Sequence, residues 1–127
     1  LEWLTTLSSD SAAMVRRAVG EALPELVTLV DKETLTTAIL PLFERLNGDE
    51  QDSVRLLAAR LCIDIARVLD EESIAAAVLP AMKVGATDAS WRVRYVFAER
   101  YAELQDAFGP TLSRDSLLPV FVELLGD

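Results

Sequence analysis

The chain has 127 residues, 51% hydrophobic and 26% charged, which is enough apolar mass to bury a core and excludes a disordered chain. Lysine and arginine total 12 against 21 aspartates and glutamates, and the net charge of −9 opposes nucleic acid and anionic membranes while favouring a basic or neutral protein partner. Histidine is absent and Cys62 is alone, which removes the commonest general base and metal ligand, an internal disulfide and any multi-cysteine metal site.

In chain order, an apolar helical pattern runs from Leu1 to Leu7 without an initiator methionine, as expected of a fragment that starts inside a helix. The polar turn Ser8-Ser9-Asp10-Ser11 precedes a helix predicted over Ala12 to Val30, with an unexpected Pro24 inside it. The next hairpin pairs a helix over Glu33 to Leu46 with one over Asp52 to Leu69, joined by Asn47-Gly48-Asp49-Glu50-Gln51. In its second helix Val54, Leu57, Ala58, Leu61, Ile65 and Leu69 keep helical apolar spacing, and Cys62 falls in the same apolar run as a buried structural thiol. A third hairpin pairs Glu72 to about Gly85 with Trp91 to Ala107 across Thr87-Asp88-Ala89-Ser90, and a last helix runs from Asp115 to Leu125.

The hairpins repeat. Val15-Arg16, Val54-Arg55 and Val93-Arg94 recur every 39 residues, as do Asp10, Asp49, Asp88 and Asp127, and Leu40-Pro41, Leu79-Pro80 and Leu118-Pro119. Apolar columns follow the same period, including Leu4, Phe43, Met82 and Phe121, and Leu26, Ile65 and Leu104. Residues 1–127 therefore form one array, with units of approximately 1–30, 33–69 and 72–107 and a partial unit 115–127. Sparse identity with conserved pattern marks a naturally diverged repeat. A two-helix hairpin cannot bury its apolar face alone, so the units must stack. The proline at one register of each first helix implies either a kink or a helix that starts near it, and sequence leaves both open.

A period near 40, two helices per unit, a proline in the first and Asp…Val-Arg at the start of the second together resemble the HEAT repeat, an all-α, α-α superhelix, over the whole chain. Three stretches are more specific: Met14-Val15-Arg16-Arg17, Asp49-Glu50-Gln51-Asp52-Ser53-Val54-Arg55-Leu56-Leu57-Ala58 and Ser90-Trp91-Arg92-Val93-Arg94-Tyr95. With Glu103-Leu104-Gln105 and Gly109-Pro110 they are similar to the middle repeats of the protein phosphatase 2A scaffold (A subunit) family. Arg60 to Arg67 and Pro24 depart from that family's pattern, leaving species and paralogue open.

With no apolar run of membrane-spanning length and no signal pattern at its start, the sequence is expected to be cytoplasmic or also nuclear. The resemblance implies a non-catalytic, cofactor-free scaffold that docks a regulatory subunit here and meets the catalytic subunit only through repeats outside this segment. It implies that the turns and the first residues of each second helix form a protein-binding ridge of Met14, Arg17, Glu50, Asp52, Ser53, Ser90, Trp91 and Arg92. It also implies a ladder in which Asp10, Asp49 and Asp88 bond Arg16, Arg55 and Arg94 of adjacent units. From the residues alone, each aspartate equally suits a helix cap, and Trp91 and Arg92 suit packing between repeats as well as an interface. The alternative function is a HEAT module of another adaptor, such as a transport receptor or large regulatory protein.

Glu21, Arg60 and Glu99 share one column, and Glu25, Asp64 and Glu103 an acidic neighbouring one, read as a solvated face with weak ion pairs or as an acidic strip on the concave side for a basic partner. The five glycines are dispersed rather than gathered in a phosphate loop, and no paired carboxylates converge, so the sequence offers no catalytic site. Trp3, Leu4, Phe121 and Leu125 lie in end helices without neighbours, which predicts self-association through uncapped ends.

Overall fold

A computed structural model describes residues 2–126, and within them all regular structure is helical. We number eight helices among the described residues: α1 (Glu2–Ser8), α2 (Ala13–Leu29), α3 (32–47), α4 (Asp52–Val68), α5 (71–86), α6 (Trp91–Glu99), α7 (Tyr101–Phe108) and α8 (110–125). They form two layers. One row stacks α1, α3, α5 and α8, the other stacks α2, α4 and the α6–α7 pair, and α4 lies at the centre against both rows.

The apolar columns explain this stacking. Leu4, Phe43 and Met82 are each 1% exposed, although Leu4 was expected to lie uncovered at an end. It is buried against its own hairpin instead, and Phe121 is half-buried because its ring stacks on Tyr101 at 4.0 Å. Trp3 and Leu125 do lie exposed. Asp127 of the aspartate column, and Leu1, lie outside the described residues.

The repeated prolines neither break a helix nor begin one. In α3 the Leu40 N–H donates to the Leu35 carbonyl, five residues back, forming one π turn directly before Pro41. The same wide turn joins Leu79 to Ile74 before Pro80, and Leu118 to Ser113 before Pro119. A proline inside an α-helix lacks the N–H for the carbonyl four residues back and its ring strikes that carbonyl. Shifting the hydrogen-bond register by one residue just ahead of it relieves both problems, so each first helix passes through its proline. Pro24 likewise sits inside α2 without ending it.

Two helix limits differ from the sequence reading by more than one residue. The last helix starts at Pro110, not Asp115, because Gly109 turns the chain at a φ of 82° and proline fits the first helical position, where no N–H is needed. Buried Ser113 then ties α8 to α7 by donating to the Gln105 carbonyl at 3.0 Å. The helix expected over Trp91 to Ala107 is interrupted at Arg100, whose φ of −103° and ψ of 20° leave the helical region. Its guanidinium folds onto Glu103, with Nε donating to Oε2 at 2.5 Å.

Cys62 is 1% exposed inside α4, and burial pushes its thiol up to about 12. Only the thiolate reacts, so a disulfide reagent at neutral pH is expected to modify the native chain at least about 100-fold more slowly than the urea-unfolded chain. Equal rates, followed by absorbance of the released thiol, would contradict this packing.

Candidate protein-binding ridge

Each unit turns from its first to its second helix through an aspartate whose side chain accepts the backbone N–H two residues on. Asp10 Oδ1 accepts from Ala12 at 2.9 Å, Asp49 Oδ1 from Gln51 at 2.9 Å and Asp88 Oδ1 from Ser90 at 2.8 Å. These are Asx turns, not the helix caps considered from sequence: the residue whose N–H donates each bond is itself the N-cap, and no side chain caps α2, α4 or α6. The true capping aspartates are Asp31 and Asp70, which accept from the Thr34 and Ser73 N–H groups at the other edge of the stack, at 2.8 Å each.

The Asx turn leaves the far carboxylate edge facing the preceding unit. There Arg16 Nε donates to Asp49 Oδ2 at 2.7 Å and its Nη2 to Oδ1 at 3.2 Å, while Nη1 reaches the Asp10 carbonyl at 2.7 Å. One unit on, Arg55 repeats this: Nε to Asp88 Oδ2 at 2.8 Å, Nη2 to Oδ1 at 3.1 Å and Nη1 to the Asp49 carbonyl at 2.8 Å. Arg94 Nη1 donates to the Asp88 carbonyl at 2.6 Å. Arg16 and Arg55 thus each sew their own turn to the next unit's with a two-pronged ion pair, the strongest geometry available to these groups. The bond to Asp49 raises the Arg16 guanidinium, and the bond to Asp88 raises that of Arg55. Burial pushes the Asp88 carboxyl up, but the Arg55 side chain and the Ser90 N–H outweigh it and hold it below its ordinary value.

Outside this ladder runs a second line of contacts between successive helix starts. Arg17 Nη1 donates to Ser53 Oγ at 3.1 Å, Ser90 Oγ donates to Asp52 Oδ2 at 2.9 Å, and Arg92 lies 4.0 Å from the same carboxylate. Arg17, Asp52, Ser53, Ser90 and Arg92 are thereby brought into one row. Met14 and Trp91 stand clear of it, 73% and 63% exposed. Glu50 is exposed, with its carboxylate 3.8 Å from Arg16.

Trp91 is framed on two sides. The Arg92 guanidinium carbon lies 5.6 Å from its ring centroid, and Tyr95, one helical turn on, meets it edge-on at 6.4 Å. Tyr95 was not picked from sequence as a ridge residue; the i+4 spacing of two exposed aromatics is the signal that carries it. Also unanticipated are Arg45, which donates to the Ser9 hydroxyl of the preceding turn, and the exposed Lys32–Asp70 pair at 2.8 Å.

The acidic column carries the ion pairs of a solvated face. Glu103 is not bare: Arg100 and, at 2.9 Å, Arg67 both donate to it, and the Arg100 bond leads in drawing its carboxyl down to about 2. Burial raises the neighbouring Asp64 against the pull of Arg100 and Arg67. The strip proposed for a basic partner is therefore partly neutralised from within. Among the described residues no cluster of His, Cys, Asp and Glu side chains is arranged to hold a metal, and no helix is long and apolar enough to cross a membrane.

Paired helices at a 39-residue period, stacked in two layers and joined turn to turn by aspartate–arginine pairs, define an α-α superhelix of the HEAT-repeat class. No family model matches the chain. Among curated proteins it is 38% identical over 110 residues, covering 86% of the chain and 19% of the relative, to the regulatory A subunit of protein phosphatase PP2A from Schizosaccharomyces pombe. It is 33% identical over 111 residues, covering 80% of the chain and 18% of the relative, to the protein of the same name from Saccharomyces cerevisiae. The chain spans about a fifth of the length of these relatives. It is a HEAT-repeat segment that resembles the A subunit of protein phosphatase 2A.

Proposed function

We propose that the chain is a non-catalytic scaffold segment that docks a regulatory subunit of a protein phosphatase 2A holoenzyme along the ridge of helix starts, in the cytoplasm and nucleus. The observation that carries this reading is the pairing of Trp91, 63% exposed, with Arg92 at the start of α6. Tryptophan and arginine are the side chains that most often dominate a protein interface, and a pre-oriented pair loses little freedom on binding. The ladder beneath holds the three turns at fixed spacing, so the ridge meets its partner as a rigid row. The catalytic subunit is assigned to other repeats of the scaffold, and neither nucleic acid nor membrane is a partner.

Binding of the chain to purified phosphatase 2A regulatory subunits tests the reading. Trp91→Ala with Arg92→Ala is expected to weaken at least one such complex by about 30-fold, the equivalent of about 2 kcal/mol. Both side chains are exposed, so circular dichroism of the variant should match that of the parent. Unchanged affinity for every such partner would refute the assignment.

A further inference from the structure

Beside Trp91 the ridge opens into a groove across the second helices of two units, lined by Leu56 and Arg60 of α4 and by Trp91, Arg92, Tyr95 and Glu99 of α6. Its charge runs against that of the molecule. In a chain of net charge −9 this groove carries two guanidinium groups and one carboxylate. That carboxylate is Glu99, one turn on from Tyr95, and its proximity raises the Tyr95 phenol above its ordinary value.

Arg60 was expected to alternate with Glu21 and Glu99 along its column. It forms no ion pair or hydrogen bond among the described residues and is exposed. Arg92 is 64% exposed at its side chain, and its nearest carboxylate, Asp52, lies at 4.0 Å and already accepts the Ser90 hydroxyl. The groove therefore presents one uncommitted cation, one weakly committed cation, an aromatic wall and an apolar side chain in Leu56. Guanidinium groups recognise carboxylates in two-pronged fashion, and the aromatic faces favour a flat or apolar side chain next to them.

We infer that the groove between α4 and α6 is a subsite for an acidic, aromatic-bearing protein segment, whose carboxylate is held by Arg60 and Arg92 and whose ring packs on Trp91 and Tyr95. This rests on the ridge being a docking surface and names the chemistry of what docks there. Arg60 is the residue that sets the preference, because it alone supplies charge from the neighbouring unit. A basic segment would meet two cations and is rejected by the same arrangement.

The test is a titration of the whole chain with a synthetic peptide carrying two aspartates around a phenylalanine, followed at the Trp91 indole N–H by NMR. The same peptide with asparagine, and with lysine, in place of aspartate serves as comparison. The aspartate peptide is expected to shift the Trp91 signal and to bind about tenfold more tightly than either comparison, an advantage that Arg60→Gln removes. Equal affinity for the three peptides, absence of binding, or full affinity in Arg60→Gln would overturn the subsite. Measuring how tightly regulatory subunits bind the same variants separates the two readings. If Trp91→Ala with Arg92→Ala weakens such a complex and Arg60→Gln does not, the subsite fails and docking stands. If neither variant changes any such complex, docking fails, and the peptide titration alone judges the groove.

Discussion

Replacing Asp88 with alanine is expected to lower the free energy of unfolding by about 3 kcal/mol, near the lower end of the cost of orphaning one member of a buried ion pair. Its side chain is 9% exposed and its partner Arg55 19%, so Arg55 would keep its charge in a place where water replaces the lost carboxylate poorly. The Asx bond to the Ser90 N–H goes with it, loosening the entry to α6. Urea unfolding should show the midpoint move, and Lys32→Ala, which removes the exposed pair with Asp70, should leave it unmoved. The effect also carries a pH signature. The folded Asp88 titrates below its ordinary value of 3.8, so its contribution is complete above that value and is lost as the pH falls through the folded value. Glu103, drawn from 4.5 down to about 2, acts in the same direction, while Asp64, raised by burial, acts against it. The parent should therefore lose stability below about pH 4, and Asp88→Ala should flatten that loss. An unchanged acid profile in the variant would remove Asp88 from the account.

The second large effect is steric. A Cβ built on Gly85 would stand 2.5 Å from Cε2 and 2.9 Å from Cζ of the Phe97 ring, closer than real side chains approach one another. Phe97 is 3% exposed, so its ring has nowhere to retreat. Gly85→Ala is expected to cost about 2–3 kcal/mol through overpacking, although alanine is the better helix former. The two side chains must then be coupled: combined with Phe97→Leu, the alanine should cost markedly less than it does alone. Additive costs in that cycle, measured by chemical unfolding, would show that the crowding is relieved elsewhere. Leu46 holds the corresponding place in the preceding unit, so the glycine is a local solution to fitting an aromatic ring between α5 and α6.

The repeat and its two layers were legible because a 39-residue period places like residues in like positions. Val54 and Val93 are buried where the period puts them, and Asp49 and Asp88 turn toward Arg16 and Arg55 from equivalent places. The π turns were not legible, since a one-residue shift in backbone pairing leaves no side-chain mark except the proline that follows it. Gly109-Pro110 suits a linker and a helix start alike, and only the packing of α8 decides between them. The state of the acidic column was hidden for a different reason. Arg67 and Arg100 reach Glu103 from other columns, and a reading by columns pairs only residues within one. Tyr95 escaped because the ridge was read as the first residues of each helix, whereas an exposed aromatic one turn further in extends the same surface.

The arginine–aspartate joint has a direction. In the Arg16–Asp49 and Arg55–Asp88 joints the arginine belongs to the earlier unit and the aspartate to the later one, and the same arginine also holds its own turn. The middle unit thus offers a plug at one side and a socket at the other, and a neighbour placed the wrong way round would meet plug with plug. Inserting or deleting a whole unit of 39 residues would keep plug and socket in register at the scar, although the side-chain packing of each junction is its own. A gain or loss of a few residues within a unit has no such remedy, because it displaces plug from socket. An array held by this joint keeps its register only when its length changes by whole units.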